Sequence, residues 1–212
     1  PETSVYRLGT DVSREQFSLQ LASLLSRGAR NINLISPSHV WQAIHPVLCD
    51  FKRGPGEMIP LVLKVSGFES PAQVAQFAAV GDVLVPDYKV AGEAEARSVD
   101  LPGAYGVVAL KAIEVMARTH TPCIYDQGQM VKGMIVRHLL MPGFETDSEK
   151  VVDGLIRIGY RGVFNLMTHF VHPKKGLAIA SSNQVTALAD RAAAAGMFVL
   201  VDGNEKFSKE AM

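Results

Sequence analysis

The sequence predicts an α/β protein built on a parallel sheet, and three observations carry that expectation. Short apolar runs rich in β-branched residues recur along the chain, helical stripes separate them, and the two kinds alternate throughout. Such an order calls for right-handed crossovers, each helix returning the chain to the same end of the sheet.

The elements follow in order. Ser13 and Gln16 have the spacing of a capping box ahead of the stripe Phe17, Leu21, Leu24 and Leu25, and Gly28 can take the left-handed conformation that ends a helix. The run NINLI (31–35) is the first strand, and a second helix carrying Cys49 leads to LVLKV (61–65). Ser70 caps a helix with Pro71 in its first turn, reaching about Ala79, and VLVPD (83–87) follows. Val107, Val108, Ala112 and Met116 mark a helix over 104–118, before the strand MIVRHLL (134–140). Asp147 or Ser148 opens the next helix, which closes near Ile158 and Gly159 before GVFNLM (162–167). Ser181 or Ser182 opens the last, which ends at Gly196 and feeds MFVLV (197–201). Because apolar residues run on without strict alternation, each strand reads as buried on both faces.

The chain has 212 residues, 48% of them hydrophobic, enough for one domain over 1–212 with a sizeable core. No fixed-period repeat, low-complexity tract or linker interrupts it. Its 21 basic and 21 acidic side chains cancel, which argues against a nucleic-acid or anionic-membrane partner. Two cysteines, Cys49 and Cys123, are too few for a disulfide framework and too distant for a metal knuckle. With no run near the ~20 apolar residues of a membrane span, the expectation is a soluble cytoplasmic protein. Pro1 in place of methionine, shortly before the first helix, leads us to expect a piece of a longer chain.

A parallel α/β sheet gathers its chemistry where strands run out into loops. There the sequence sets Ser36, Pro37, Ser38 and His39, then Lys64, Ser66 and Gly67, then Asp87, Tyr88 and Lys89, then Arg137 and His138, then Thr168 and His169. Each has a bland reading. A lone histidine such as His39 is more often a hydrogen-bonded structural residue, and Lys64 and Lys89 can carry their charge to solvent over apolar stems. Arg137 is harder to dismiss, since a guanidinium inside an apolar strand needs a carboxylate or a ligand. His45, His120 and Cys49 are assigned to packing. From these residues alone, a Schiff-base lyase with Lys64 or Lys89 as nucleophile and a non-catalytic barrel that binds a partner both stay open.

The segments GARNINLISPSH (28–39), VSGFES (65–70), LVPDYK (84–89), VRHLLMPG (136–143) and LMTH (166–169) together resemble the radical S-adenosylmethionine proteins akin to pyruvate formate-lyase activating enzyme. The order and spacing run from about Gly9 to Val201. The resemblance implies an α/β partial (β/α)6 open barrel of parallel strands, with S-adenosylmethionine bound across the strand ends. Ser36 and Ser38 inherit contacts to the methionyl amino group, and Ser66 is a further cofactor-binding residue. Asp87 and Lys89 match an Asp-x-Lys that meets the methionyl and ribose portion directly or through a cation. Arg137 and His169 match residues that approach the cofactor, and His172 is peripheral. The implied reaction is reductive cleavage of S-adenosylmethionine to a 5′-deoxyadenosyl radical, which takes hydrogen from a protein or small-molecule substrate, with flavodoxin or ferredoxin as electron donor.

One departure is large. These enzymes hold a [4Fe-4S] cluster on a Cys-x3-Cys-x2-Cys loop, which this sequence lacks. In the relatives that loop precedes a segment similar to PETSVYRLG (1–9), so the first strand and the cluster ligands are expected upstream of residue 1, leaving NINLI as an unpaired edge able to meet another molecule. As it stands, the chain is expected to be inactive. A second departure is Lys64, where activating enzymes place an aspartate that helps hold a monovalent cation. The expectation is that the Lys64 ammonium pairs with Asp87 and replaces that ion.

Overall fold

Successive parallel strands can neighbour one another only if each connection crosses back over the sheet. The computed structural model, which describes residues 9–172 and 176–202, shows that arrangement. Helix α1 (Arg14–Ser26) begins at the Ser13–Gln16 capping box and leads to strand β1 (Ile32–Ile35). A single 3-10 turn (Pro37–His39) and α2 (Trp41–Arg53) return the chain to β2 (Leu61–Val65). Helix α3 (Pro71–Val80), capped where the Ser70 hydroxyl accepts from the Gln73 N–H, precedes β3 (Val83–Pro86). Two helices, α4 (Glu93–Ser98) and α5 (Tyr105–His120), follow, and then the hairpin of β4 (Ile124–Asp126) and β5 (Gln129–Leu139). The remainder is α6 (Glu145–Arg157), β6 (Val163–Met167), β7 (His169–His172), β8 (Gly176–Ile179), α7 (Ser182–Ala194) and β9 (Phe198–Asp202).

The main sheet runs β1-β2-β3-β5-β6-β9 with every neighbouring pair parallel, while β4 lies antiparallel on β5. Among the described residues β1 pairs with β2 alone and β9 with β6 alone, so the sheet is open at both edges. This is the parallel α/β sheet that the alternation predicts and the open partial barrel that the resemblance implies.

The helices cover one face. Leu61, Leu63, Val65, Leu84, Met134, Val136, Phe164 and Leu166 form one buried cluster with Val74, Phe77, Ile113, Met116, Val151 and Leu155 from α3, α5 and α6. The other face corrects an expectation. Along β2 buried residues alternate with the half-buried Val62 and Lys64, and along β5 with Ile135, Arg137 and Leu139. Strand β3, by contrast, is buried at all four residues. The inner face lines a concavity, so its apolar side chains stay in partial contact with water.

Two other boundaries differ from expectation. The helix assigned to Asp147 or Ser148 starts at Glu145, and both residues are buried within its first turns. Asp147 accepts the Ala91 and Gly92 N–H groups at 2.9 and 2.8 Å, so its carboxylate anchors the loop after β3. The chain beyond Met167 forms a second, two-stranded antiparallel sheet of β7 and β8.

Candidate functional site

The strand register sets the site. Lys64 stands beside Val85, and Asp87, past the end of β3, bridges Arg137, which pairs in turn with Asn165. Lys64, Asp87, Lys89, Arg137 and His169 line one cleft of about 450 Å3 at the C-terminal mouth, walled by Val99, Leu101, Leu139, Met141 and Met167. Five of the sequence-predicted positions therefore meet, contributed by four different strands or their ends.

Asp87 is the hub. Its Oδ2 lies 3.6 Å from the Lys89 ammonium and its Oδ1 3.5 Å from Arg137 Nη1. Both contacts are long, and Oδ1 has no hydrogen-bond partner among the described residues. Burial pushes the Asp87 carboxyl above its ordinary range, opposed by the charges of Lys89, Arg137 and Lys64. Arg137 is steered from the other side by the Met167 sulfur, 2.8 Å from Nη2. A carboxylate this loosely held, between two cations, has acceptor capacity left for a ligand.

The hub is braced from behind. The Tyr88 N–H donates to the Arg137 carbonyl at 2.8 Å, and the Tyr88 carbonyl accepts from His138 Nδ1 at 2.8 Å. With Nδ1 donating, Nε2 is the acceptor of the Ser148 hydroxyl at 2.9 Å, which defines a neutral imidazole. Burial drives the His138 pKa down to about 4. The Tyr105 hydroxyl lies 3.0 Å from both the Ser66 and Asp87 carbonyls and accepts the Lys89 N–H at 3.1 Å, joining the ends of β2 and β3. Gly67 (φ +82°) makes that junction possible, because a Cβ there would lie 2.3 Å from the Asp87 carbonyl oxygen.

Lys64 corrects the expected pairing. Among the described residues no carboxylate lies within 4.0 Å of its amine, and Asp87 pairs with Lys89 and Arg137 instead. The reason is register: the lysine sits level with Val85, one layer below the Asp87–Arg137 bridge. Burial, and after it the charge of Arg137, lowers the Lys64 pKa, with Asp87 pulling the other way.

The serines stand apart from the cleft. Ser36 is exposed and left-handed (φ 53°), with its N–H on the Lys64 carbonyl at 2.8 Å. The hydroxyls of Ser38 and Ser66 both donate to Glu69 Oε1, at 2.8 and 2.7 Å, and the Ser66 N–H adds a third bond at 2.9 Å. Glu69, only 4% exposed, thus clamps the β1 and β2 loops together, while its buried Oε2 has no hydrogen-bond partner among the described residues. The sequence reading passed over Glu69; the spacing Ser66-x-x-Glu69, which lets the carboxylate fold back onto the serine, is the signal that marks it. His169 is exposed at the cleft's edge, its Nδ1 3.3 Å from the Thr168 hydroxyl. The His172 side chain lies outside the described set.

The described residues form an open, parallel α/β partial barrel with polar groups at one rim. The chain is similar to a domain of pyruvate-formate lyase-activating enzyme from Bacteroides vulgatus, with TM-score 0.61 and 14% identity over 82% of this chain and 99% of that one. It is similar to a radical SAM methyltransferase from Sphaerobacter thermophilus, with TM-score 0.62 and 14% identity over 94% of this chain and 60% of the other. SuiB from Streptococcus suis, solved also with S-adenosylmethionine and with the precursor peptide SuiA, superposes with TM-score 0.64 and 10% identity over 95% of this chain and 46% of its own. The chain thus spans about 60% of the methyltransferase and 46% of SuiB. No family model matches the sequence, and no curated protein is significantly similar to it. At these identities the likeness is one of fold.

S-adenosylmethionine and an iron-sulfur cluster are the groups that the sequence resemblance implies. The cleft suits the first, with cations for a carboxylate, Asp87 for a hydroxyl or ammonium, and apolar walls for the adenosyl group. For the second the described residues do not fit, since they include no group of three or more His, Cys, Asp or Glu placed to hold a metal. Among the described residues no helix is long and apolar enough to cross a membrane.

Proposed function

We propose that this chain is the cofactor-binding barrel of a radical S-adenosylmethionine enzyme. The observation that carries this reading is the convergence of Asp87, Lys89, Arg137 and His169 on one rim of a barrel with this fold. Lys89 and Arg137 take the methionyl carboxylate, and Asp87, relieved of part of their charge, accepts from the ribose or the ammonium group. His169 covers the open edge. Ser38 and Ser66 act on the ligand only through the loops that Glu69 holds. In such an enzyme a cluster, on ligands that the described residues do not provide, would supply the electron for reductive cleavage of S-adenosylmethionine to methionine and a 5′-deoxyadenosyl radical, and a flavodoxin- or ferredoxin-like donor would reduce it. The radical's hydrogen donor is a protein or small-molecule substrate.

Titration calorimetry of the full-length protein with S-adenosylmethionine tests the reading. Saturable binding is expected, weakened about 10-fold or more by Arg137→Ala, the scale of one lost charge-assisted hydrogen bond. Absence of binding at millimolar cofactor would refute it.

A second reading is favoured by Lys64, which has no carboxylate within 4.0 Å among the described residues and whose lowered pKa suits attack on a carbonyl. A Schiff-base lyase would be trapped on Lys64 by borohydride in the presence of pyruvate. An unmodified Lys64 removes that alternative.

A further inference from the structure

The charges of the cleft do not balance. Lys64, Lys89 and Arg137 face a single carboxylate, Asp87, an excess of two positive charges among the lining residues. Asp87 is already shared, at 3.6 and 3.5 Å, between Lys89 and Arg137. Lys64 is left over: half-buried, opening on the cleft, and without an anionic partner within 4.0 Å among the described residues. Taking an ammonium partly out of water is costly unless an opposite charge replaces the lost hydration. S-adenosylmethionine does not supply the balance, because its sulfonium and ammonium groups outnumber its carboxylate and the cofactor is itself a net cation. One carboxylate on the cofactor answers Lys89 and Arg137. Nothing in it answers Lys64.

We propose that the substrate of this barrel is a carboxylic acid, and that Lys64 is the residue that selects it by pairing with the substrate carboxylate in the cleft. The proposal rests on the functional reading above only in counting S-adenosylmethionine as the first ligand; the unpaired cation stands without it. Lys64 lies one register layer below the Asp87–Arg137 bridge, so a carboxylate on it sits deeper in the barrel than the cofactor's polar end. The substrate's reactive carbon is thereby held beneath the rim rather than above it. The direction of the Lys64 pKa agrees, since an ammonium disfavoured by burial and by Arg137 is restored most readily beside an added anion. The remaining titratable groups that line the cleft among the described residues, Asp87, Lys89 and His169, include no second acid.

The test uses the full-length protein at low ionic strength, with succinate and an acidic pentapeptide as probes and their fully amidated counterparts as controls. Calorimetry with and without S-adenosylmethionine is expected to show binding of an acid but not of its amide. Lys64→Met should weaken that binding about 10-fold or more, and Lys64→Arg should restore most of it. Succinate binding identifies a small acid, whereas binding of the peptide alone identifies an acidic protein segment. A second measurement needs no variant: the Lys64 amine, followed by NMR through its 13C-labelled side chain, should titrate at higher pH once succinate is present. Equal affinity for acid and amide, or an unmoved Lys64 titration, overturns the proposal. Carboxylate binding in a protein that ignores S-adenosylmethionine would overturn the radical reading and leave this one standing.

Discussion

His138 and Glu69 show how much of this site is held by single buried polar groups. Transfer of a charged imidazole into the interior is unfavourable, and His138 falls from 6.5 to about 4 in the folded chain. The unfolded state therefore binds a proton first as pH drops. Stability that His138 contributes is fully present above 6.5 and is lost as pH falls towards 4, by on the order of 3 kcal/mol in total. Urea denaturation at pH 7.5 and pH 4.5 should show this loss, and His138→Gln should flatten the slope while lowering stability at the higher pH. Glu69 separates differently. Glu69→Ala removes the acceptor of three hydrogen bonds and should cost about 1–3 kcal/mol, whereas Glu69→Gln keeps an oxygen for the serines and should cost less than about 1 kcal/mol. Denaturant midpoints of the two variants check the order.

At the scale of elements, the β2–β3 junction and the helix caps invite direct measurement. Gly67→Ala places a methyl group 2.3 Å from the Asp87 carbonyl oxygen in a left-handed backbone, and a loss of more than about 2 kcal/mol is expected, with the Asp87 contacts disrupted. Ser181→Ala deletes the capping box of α7 and should cost about 1 kcal/mol without touching the cleft. Such caps were legible in the sequence because they depend on neighbours three residues apart. So was the main alternation of helix and strand, since crossovers demand long apolar helices between short apolar strands. The β4 strand was not, because Ile124, Tyr125 and Asp126 are all exposed and carry no burial pattern to read. The half-wet inner face was equally hidden: Val62 and Ile135 are apolar, like their helix-facing neighbours Leu61, Leu63, Met134 and Val136. The meeting of Asp87, Arg137 and His169 followed from parallel strands ending at one rim. The failure to pair Lys64 with Asp87 did not, because it turns on a register that only the folded sheet defines.

At the scale of the whole molecule, a ligand that spans several strand ends should bind the folded chain and not the unfolded one. Saturation with S-adenosylmethionine at 100 times its Kd would then add about 2.7 kcal/mol to stability, read as a rise in the thermal midpoint. A midpoint unmoved at millimolar cofactor would count against the proposed function as firmly as a blank calorimetric trace. The main sheet has a further property. In its order β1-β2-β3-β5-β6-β9 no strand is ever inserted between two that precede it. A chain emerging from the ribosome can therefore add each strand to an edge that already exists, and never has to reopen a finished pair. Shortening from the carboxyl end removes strands in the reverse of their order of synthesis, leaving a narrower sheet with the same neighbours.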